Sequence, residues 1–372
     1  MDGVGTDFTH PFEYDPGLNT WAIKTATFPD NQVSNMACGV LTDSGTPYIY
    51  CVGGSAGGQT TATGRVFRYN PVTDMIDTVA APWPGDTEGI TLPGGFSVFN
   101  NKLYIVGGFR INTAMTNQIW EFTPTSNLWV QKSAVLPVAR GFIPTVTYFN
   151  FIYTAGGSDW NGTTLVDTND SFRYDPVADL ITSVPNMPRA TGETRALKFA
   201  GGVGRCAPAI WVMGGGRTPP NPSNEVDIDC PDTWTMGPPF VTARRNFPTD
   251  TDGGGVNFGT GRVWLAGGYG SDGTALSSME IYCHTVPTPS EPPPMTPTAT
   301  FTPTPTATLP PPTPTVTPPA SATPTATPGV TPTPSDCPGG CTPSPTTTVT
   351  PTATATRFTP IPRHRPSPAP RP

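Results

Sequence analysis

The sequence predicts an all-β fold of four-stranded units repeated radially, a β-propeller, and three observations predict it. The first is a strand-like run that stops at a glycine pair and occurs five times: YIYCVGG at 48–54, LYIVGG at 103–108, FIYTAGG at 151–157, AIWVMGG at 209–215 and RVWLAGG at 262–268. The second is their spacing, 54, 49, 58 and 53 residues between successive first glycines. The third is a hairpin signal behind each pair, with no helical periodicity beyond a turn or two anywhere in the chain. A unit of that length with four short strands and no helix cannot bury both faces alone. Stacked radially on its neighbours, it can.

The doublets are Gly53–Gly54, Gly107–Gly108, Gly156–Gly157, Gly214–Gly215 and Gly267–Gly268. Adjacent glycines weaken a strand, so a repeated pair marks a place where a Cβ would crowd a neighbour. An aromatic stands three residues ahead of each pair, Tyr50, Tyr104, Tyr153, Trp211 or Trp264, and is expected to pack within its own blade. The hairpin signals are VFRYNP (66–71), IWEFTP (119–124), SFRYDP (171–176), VDIDCP (226–231) and MEIYCH (279–284). Seven residues past Tyr69, Phe122 and Tyr174 come Ile76, Trp129 and Ile181, and Ile228 reaches Trp234 after six. Asn/Asp-Pro between them is turn chemistry, so each reads as strand, tight turn, strand.

The two ends differ from this pattern. Tyr282 has no fourth-strand partner, because the position seven beyond it is Pro289. At the start, FEYDPGLNTW (12–21) supplies a Tyr14/Trp21 hairpin with no doublet before it. The expectation is five doublet-bearing repeats plus an N-terminal half blade, the chain beginning inside a sixth blade whose other half and export signal lie upstream. The alternative is five blades, with the Trp21 strand closing the last one.

Residues 1–285 are the propeller and 286–372 a separate segment of Thr, Pro, Ala and Ser holding more than half of the chain's 50 prolines. Such a composition cannot bury enough apolar surface to offset ordering, so a disordered linker or stalk is expected, with a contour of roughly 270 Å in polyproline II form. The formal charge is −7. The tail carries four arginines against two acids, leaving the first 285 residues near −9. That balance argues against nucleic-acid binding. No run of 18 apolar residues exists to span a membrane, and the start lacks a charged-then-apolar leader.

Seven cysteines and the Thr/Pro tail suggest a secreted or cell-surface protein. Cys38 with Cys51, Cys206 with Cys230, and Cys337 with Cys341 are candidate pairs, which leaves Cys283 over. Pairing and free buried thiols stand at even odds. Only His10, His284 and His364 are present and no Cys-x-x-Cys occurs, so no metal or other cofactor is expected. The glycines of GGVGRC (201–206) lack a following Lys-Ser/Thr and read as a hairpin turn.

The doublet after an aromatic strand, with spaced Tyr and Trp, resembles the kelch family, and the resemblance covers nearly all of residues 1–285. Tyr14, Trp21, Tyr69, Phe122, Trp129, Tyr174, Trp234 and Tyr282 stand at its hairpin positions. Ile76 and Ile181 stand where it expects Trp, and Ile228 where it expects Tyr. Kelch-type enzymes include galactose oxidase, whose site needs Tyr ligands, a Cys-linked Tyr and two well-placed histidines, the last of which this chain cannot supply, and sugar mutarotases, which need only placed polar groups. The stretches SDWNGTT (158–164) and SDGTAL (271–276) have the look of sialidase Asp boxes but read more simply as turns.

The expectation is therefore a non-enzymatic extracellular module binding a protein or glycan, with a carbohydrate-active enzyme as the alternative. The resemblance points to the channel mouth, where the inter-blade loops place Arg140, Arg189, Arg195, Arg244 and Arg245 for an anionic ligand. The competing reading is ion pairing within the propeller, to Glu88 or Glu193. Trp160 and Tyr269, just past doublets and expected in exposed loops, are candidates for stacking.

Overall fold

The structure, a computed structural model, describes residues 9–56, 61–79, 81–86, 89–199, 208–218, 221–230, 233–251 and 261–284. The 286–372 segment lies outside them, as do Glu88, Cys206, Cys337, Cys341 and His364. Every strand is antiparallel to its partner. A short hairpin, β1 (Phe12–Asp15) and β2 (Thr20–Ile23), comes first. Blade 1 follows as β3 (Ala37–Asp43), β4 (Thr46–Val52), β5 (Val66–Asn70) and β6 (Met75–Val79). Blade 2 is β7 (Leu92–Phe99), β8 (Lys102–Arg110), β9 (Ala114–Thr123) and β10 (Leu128–Val135).

Blade 3 is β11 (Thr145–Tyr148), β12 (Phe151–Trp160), β13 (Leu165–Asp175) and β14 (Leu180–Val184). Blade 4 is β15 (Ala196–Phe199), β16 (Ala209–Gly215), β17 (Ser223–Cys230) and β18 (Thr233–Gly237). Blade 5 has three strands among the described residues, β19 (Thr249–Thr251), β20 (Gly261–Ala266) and β21 (Met279–His284). The first strands of blades 1 to 5 adjoin in succession and form the inner wall of the ring.

Five doublet-bearing blades are thus present. The N-terminal hairpin is a two-stranded sheet of its own, with β2 paired to β1 and not to β21. Its Tyr14 and Trp21 stand opposite each other, ring centroids 5.1 Å apart.

The apolar core lies between blades. Separate buried clusters fill the interfaces of blades 1 and 2, 2 and 3, 3 and 4, and 4 and 5. As expected, the aromatic ahead of a doublet packs within its own blade: Tyr104 on Phe99, Tyr153 on Tyr148 and Trp211 on Phe199, at centroid distances of 6.4, 5.8 and 5.1 Å, and three of these aromatics also reach the next blade. Tyr50 meets Phe122 of blade 2, Tyr104 meets Tyr174 of blade 3, and Trp211 meets Tyr282 of blade 5, at centroid distances of 5.6, 6.1 and 6.0 Å. In blades 1, 2 and 4 the aromatic on the second strand thus also packs on the hairpin aromatic of the next blade. Strand alternation explains it: residues facing one neighbour recur at every second position.

The fourth hairpin needs a correction. Trp234 stands opposite Asp229, and Ile228 opposite Thr235. Counting back from Pro231 as from Pro176 makes Asp229, not Ile228, the counterpart of Tyr174, with a turn two residues shorter.

Each hairpin also reaches back to the backbone that follows the preceding fourth strand. Trp129 Nε1 donates to Ala81 O, Trp234 Nε1 to Pro185 O and Tyr282 Oη to Pro238 O, at 3.0–3.1 Å. Blades 1 and 3 have Ile in place of Trp and use an aspartate instead. Asp179 accepts Tyr174 Oη at 2.9 Å and Ser133 N at 2.9 Å. Asp74 accepts Tyr69 Oη at 3.1 Å and Thr25 N at 2.7 Å. Thr25 follows β2, so the N-terminal hairpin latches onto blade 1 as one blade latches onto the next.

Candidate functional site

Two sets of loops share one face of the ring: the turns after the doublets, and the connectors that lead each outer strand to the next inner strand. The doublets join them. Gly156 has φ +66°, and a Cβ there would lie 2.7 Å from Thr168 O and closer still to Thr191 O, in the connector that follows. Gly157 has φ +113°, and its Cβ would come within 3.1 Å of Gly141 O in the connector before. The first glycine thus clears one neighbour and the second clears the other, so only a pair serves. The same contacts recur at Gly107, which faces Arg140 O, and at Gly215, which faces Gly192 O. Backbone N–H groups of Gly108, Gly157 and Gly215 donate to Arg140, Thr191 and Arg244 carbonyls at 2.7–2.9 Å.

The connectors into blades 3, 4 and 5 each turn through one left-handed residue before the inner strand: Phe142 (φ 51°), Glu193 (φ 54°) and Asn246 (φ 50°). These residues bond in sequence around the channel mouth, Glu193 N to Phe142 O at 3.0 Å and Asn246 N to Glu193 O at 2.5 Å. Blades 2 and 3 rise above this rim, because β8–β9 and β12–β13 stay paired beyond their doublets. Phe109 and Phe142 are buried there under the half-buried Met115, Trp160 and Leu165, with Trp160 at 5.5 Å from Phe109.

Four of the five connector arginines are engaged in ion pairs. Arg140 holds Asp170 at 2.6 Å, and Arg189 holds Glu225 and Asp227, each at 2.8 Å. Burial pushes the Asp227 carboxyl above its usual range while Arg189 pulls it down. Arg245 and Arg217 share Glu193, whose side chain is fully buried, at 2.6 and 2.5 Å. Arg244 is 0% exposed, donates to Leu265, Gly267 and Ser278 carbonyls, and pairs with Glu280 at 2.7 Å.

The acid partner of Arg140, Arg189 and Arg244 lies in each case on the third strand of the next blade, so these arginines tie blades together. The sequence hinted at this in VDTND (166–170), NEVD (224–227) and MEIY (279–282), each of which carries an acid there.

Arg195 differs. Its guanidinium carbon lies 3.6 Å from the ring centroid of Phe96, and it forms no ion pair or hydrogen bond with any described residue. Burial lowers its pKa to about 10, with Asp250 pulling the other way. Trp160 and Tyr269 are half-buried and are not in exposed loops. Trp160 ends β12, and Tyr269 bridges to Arg245 with that guanidinium 5.0 Å from its ring.

In SDWNGTT, Asn161 Oδ1 accepts Thr163 N and Thr164 N at 2.9 and 2.8 Å. In SDGTAL, Asp272 Oδ1 accepts Thr274 N at 2.9 Å. Both are side-chain-stabilised turns. Cys38 and Cys51 form a disulfide between β3 and β4. Cys230 is also disulfide-bonded, and its expected partner Cys206 is outside the described residues. Among the described residues, no three His, Cys, Asp or Glu side chains could hold a metal ion, and no helix is long and apolar enough to cross a membrane.

No family model matches the sequence. The chain is 25% identical over 210 residues to the kelch-like protein terF of Aspergillus terreus, covering 55% of this chain and 42% of that one. It is 22% identical over 243 residues to kelch repeat and BTB domain-containing protein 1 of cowpox virus, covering 62% and 38%. The chain therefore spans roughly two fifths of the length of these curated relatives. The solved structure of YjhT matches with a TM-score of 0.54 at 13% identity, over 72% of this chain and 88% of that one, which bears on the fold alone. The five doublet-bearing blades, the register of their doublets and the similarity to these relatives support a kelch-type β-propeller.

Proposed function

We propose that the chain is a non-enzymatic protein-binding module that docks its partner on the doublet face. The observation that carries this reading is the asymmetry of that face: over blades 2 and 3 the half-buried Met115, Trp160 and Leu165 edge a buried Phe109–Phe142 cluster, beside a channel where Arg195 has no ion pair with any described residue. An aromatic cluster beside a placed polar group is the composition of an interaction hot spot. The kelch relatives support the same class. The Cys38–Cys51 disulfide and the Thr/Pro segment support an extracellular setting, with the propeller presented on a stalk.

The test is site-specific photo-crosslinking from position 160 on the doublet face and position 72 on the opposite face, with cells of the native host supplying the partner. A discrete protein adduct from 160 alone is the expected result. Equal adducts from both positions would refute the docking face. A glycan array probed with the same protein decides the ligand class, and a sugar hit lost in Trp160→Ala would replace protein by glycan.

A further inference from the structure

We propose that Arg195 is a carboxylate-binding site inside the channel, entered from the doublet face. The inference deepens the binding-module reading and rests on it only for the source of the carboxylate. Arg195 stands on the connector just ahead of β15 in blade 4, yet its guanidinium lies on Phe96 of β7 in blade 2. The side chain thus ends on a ring two blades away.

What sets Arg195 apart is what its neighbours lack. Arg140, Arg189 and Arg244 each spend donors on a carboxylate of the adjoining blade, and Arg245 on Glu193 of the preceding connector. Arg195 spends none. Its guanidinium lies over the Phe96 face, and Asp250 acts on it from a distance without an ion pair. Stacking on a ring fixes the plane of a guanidinium and leaves its N–H edge free, the geometry that takes a carboxylate bidentately. Asp250 is exposed, so water screens its repulsion of an incoming anion. Thr249, next to Asp250 on the inner strand of blade 5, keeps a buried hydroxyl with no hydrogen-bond partner.

A poorly solvated cation with unused donors gains more from an anion than a surface arginine does. Aspartate or glutamate side chains of a partner segment, or a small free carboxylate, both fit this chemistry.

The experiment follows the Arg195 Nε–H signal by 15N NMR in the full chain, assigned through Arg195→Lys. Sodium succinate and a blocked hexaglutamate peptide are titrated at constant ionic strength against sodium chloride. The expected result is a saturable shift of the Arg195 signal with succinate, absent with chloride, and at least tenfold tighter binding of the peptide. Saturation by succinate with no peptide binding assigns the site to a small free carboxylate. A shift that only drifts with salt, for succinate and peptide alike, overturns the proposal.

Arg195→Met, which keeps the apolar stem on Phe96, removes the succinate response in thermal unfolding if the proposal holds. If a partner crosslinks equally to wild type and Arg195→Met, the module stands and its use of this site falls. If succinate saturates Arg195 while no partner crosslinks at position 160, the site stands and the module reading falls.

Discussion

Replacing Gly156 by alanine tests why the glycines come in pairs. The residue has φ +66°, a region that costs an alanine about 1–2 kcal/mol. Its Cβ would also press on two backbone oxygens, Thr168 O at 2.7 Å and Thr191 O nearer still, and backbone cannot swing aside. Forcing atoms into filled space adds about 1–3 kcal/mol, for a total of about 2–5 kcal/mol.

Gly45 is the control. It has φ +82° with nothing within 4 Å of its Cβ, so Gly45→Ala should cost only the conformational part, about 1–2 kcal/mol. Urea unfolding followed by tryptophan fluorescence measures both, with the midpoint shift converted by the fitted slope. Gly156→Ala must be the more damaging by at least about 1 kcal/mol. Equal losses would refute the idea that the doublet is wedged between two connectors.

Three further outcomes are expected. Hydrogen bonds from Thr25 hold the Asp74 carboxyl down at about 2, so its contribution is complete above the ordinary carboxylate range and lost as pH falls toward about 2. Urea midpoints across that window should fall less steeply in Asp74→Asn than in wild type. Replacing Cys38 and Cys51 together by serine reopens a short loop in the unfolded chain and should cost about 3 kcal/mol by chemical denaturation. Arg244→Met strands Glu280 and three carbonyls and should cost about 3–5 kcal/mol, whereas Arg195→Met should cost no more than about 1 kcal/mol in the same assay.

The fold was legible in the sequence because the doublets repeat a steric requirement, and steric requirements leave a residue-type signature. The outer hairpins were legible for the same reason, through Asn/Asp-Pro turns. Asp229 escapes the pattern because its turn is two residues shorter and its side chain is not apolar, so the search for an apolar hairpin position settles on Ile228, six residues before Trp234. The aspartates that substitute for Trp, Asp74 and Asp179, were missed although YNPVTD and YDPVAD display them. A hydrogen bond to a neighbouring blade's backbone has no partner residue type to search for.

The arginines were harder still. Arg140, Arg189, Arg195, Arg244 and Arg245 look alike along the chain, and only the acids that the fold brings to them, on the third strand of the next blade or, for Arg245, in the preceding connector, distinguish the paired from the unpaired. Where that strand offers Asp170, Asp227 or Glu280, the arginine is consumed. Arg195 turns into the ring instead and stays available.

The central claim is that the doublets lock the connectors into one rigid platform around the channel, on which Arg195 stands ready. Native-state hydrogen exchange of the Gly108, Gly157 and Gly215 amides tests it most directly, since each donates to the connector that follows. The account predicts that these amides exchange only with global unfolding, at the free energy of buried strand residues such as Val106 and Val212. Exchange at the rate of the exposed turn around Gly45, insensitive to denaturant, would contradict it.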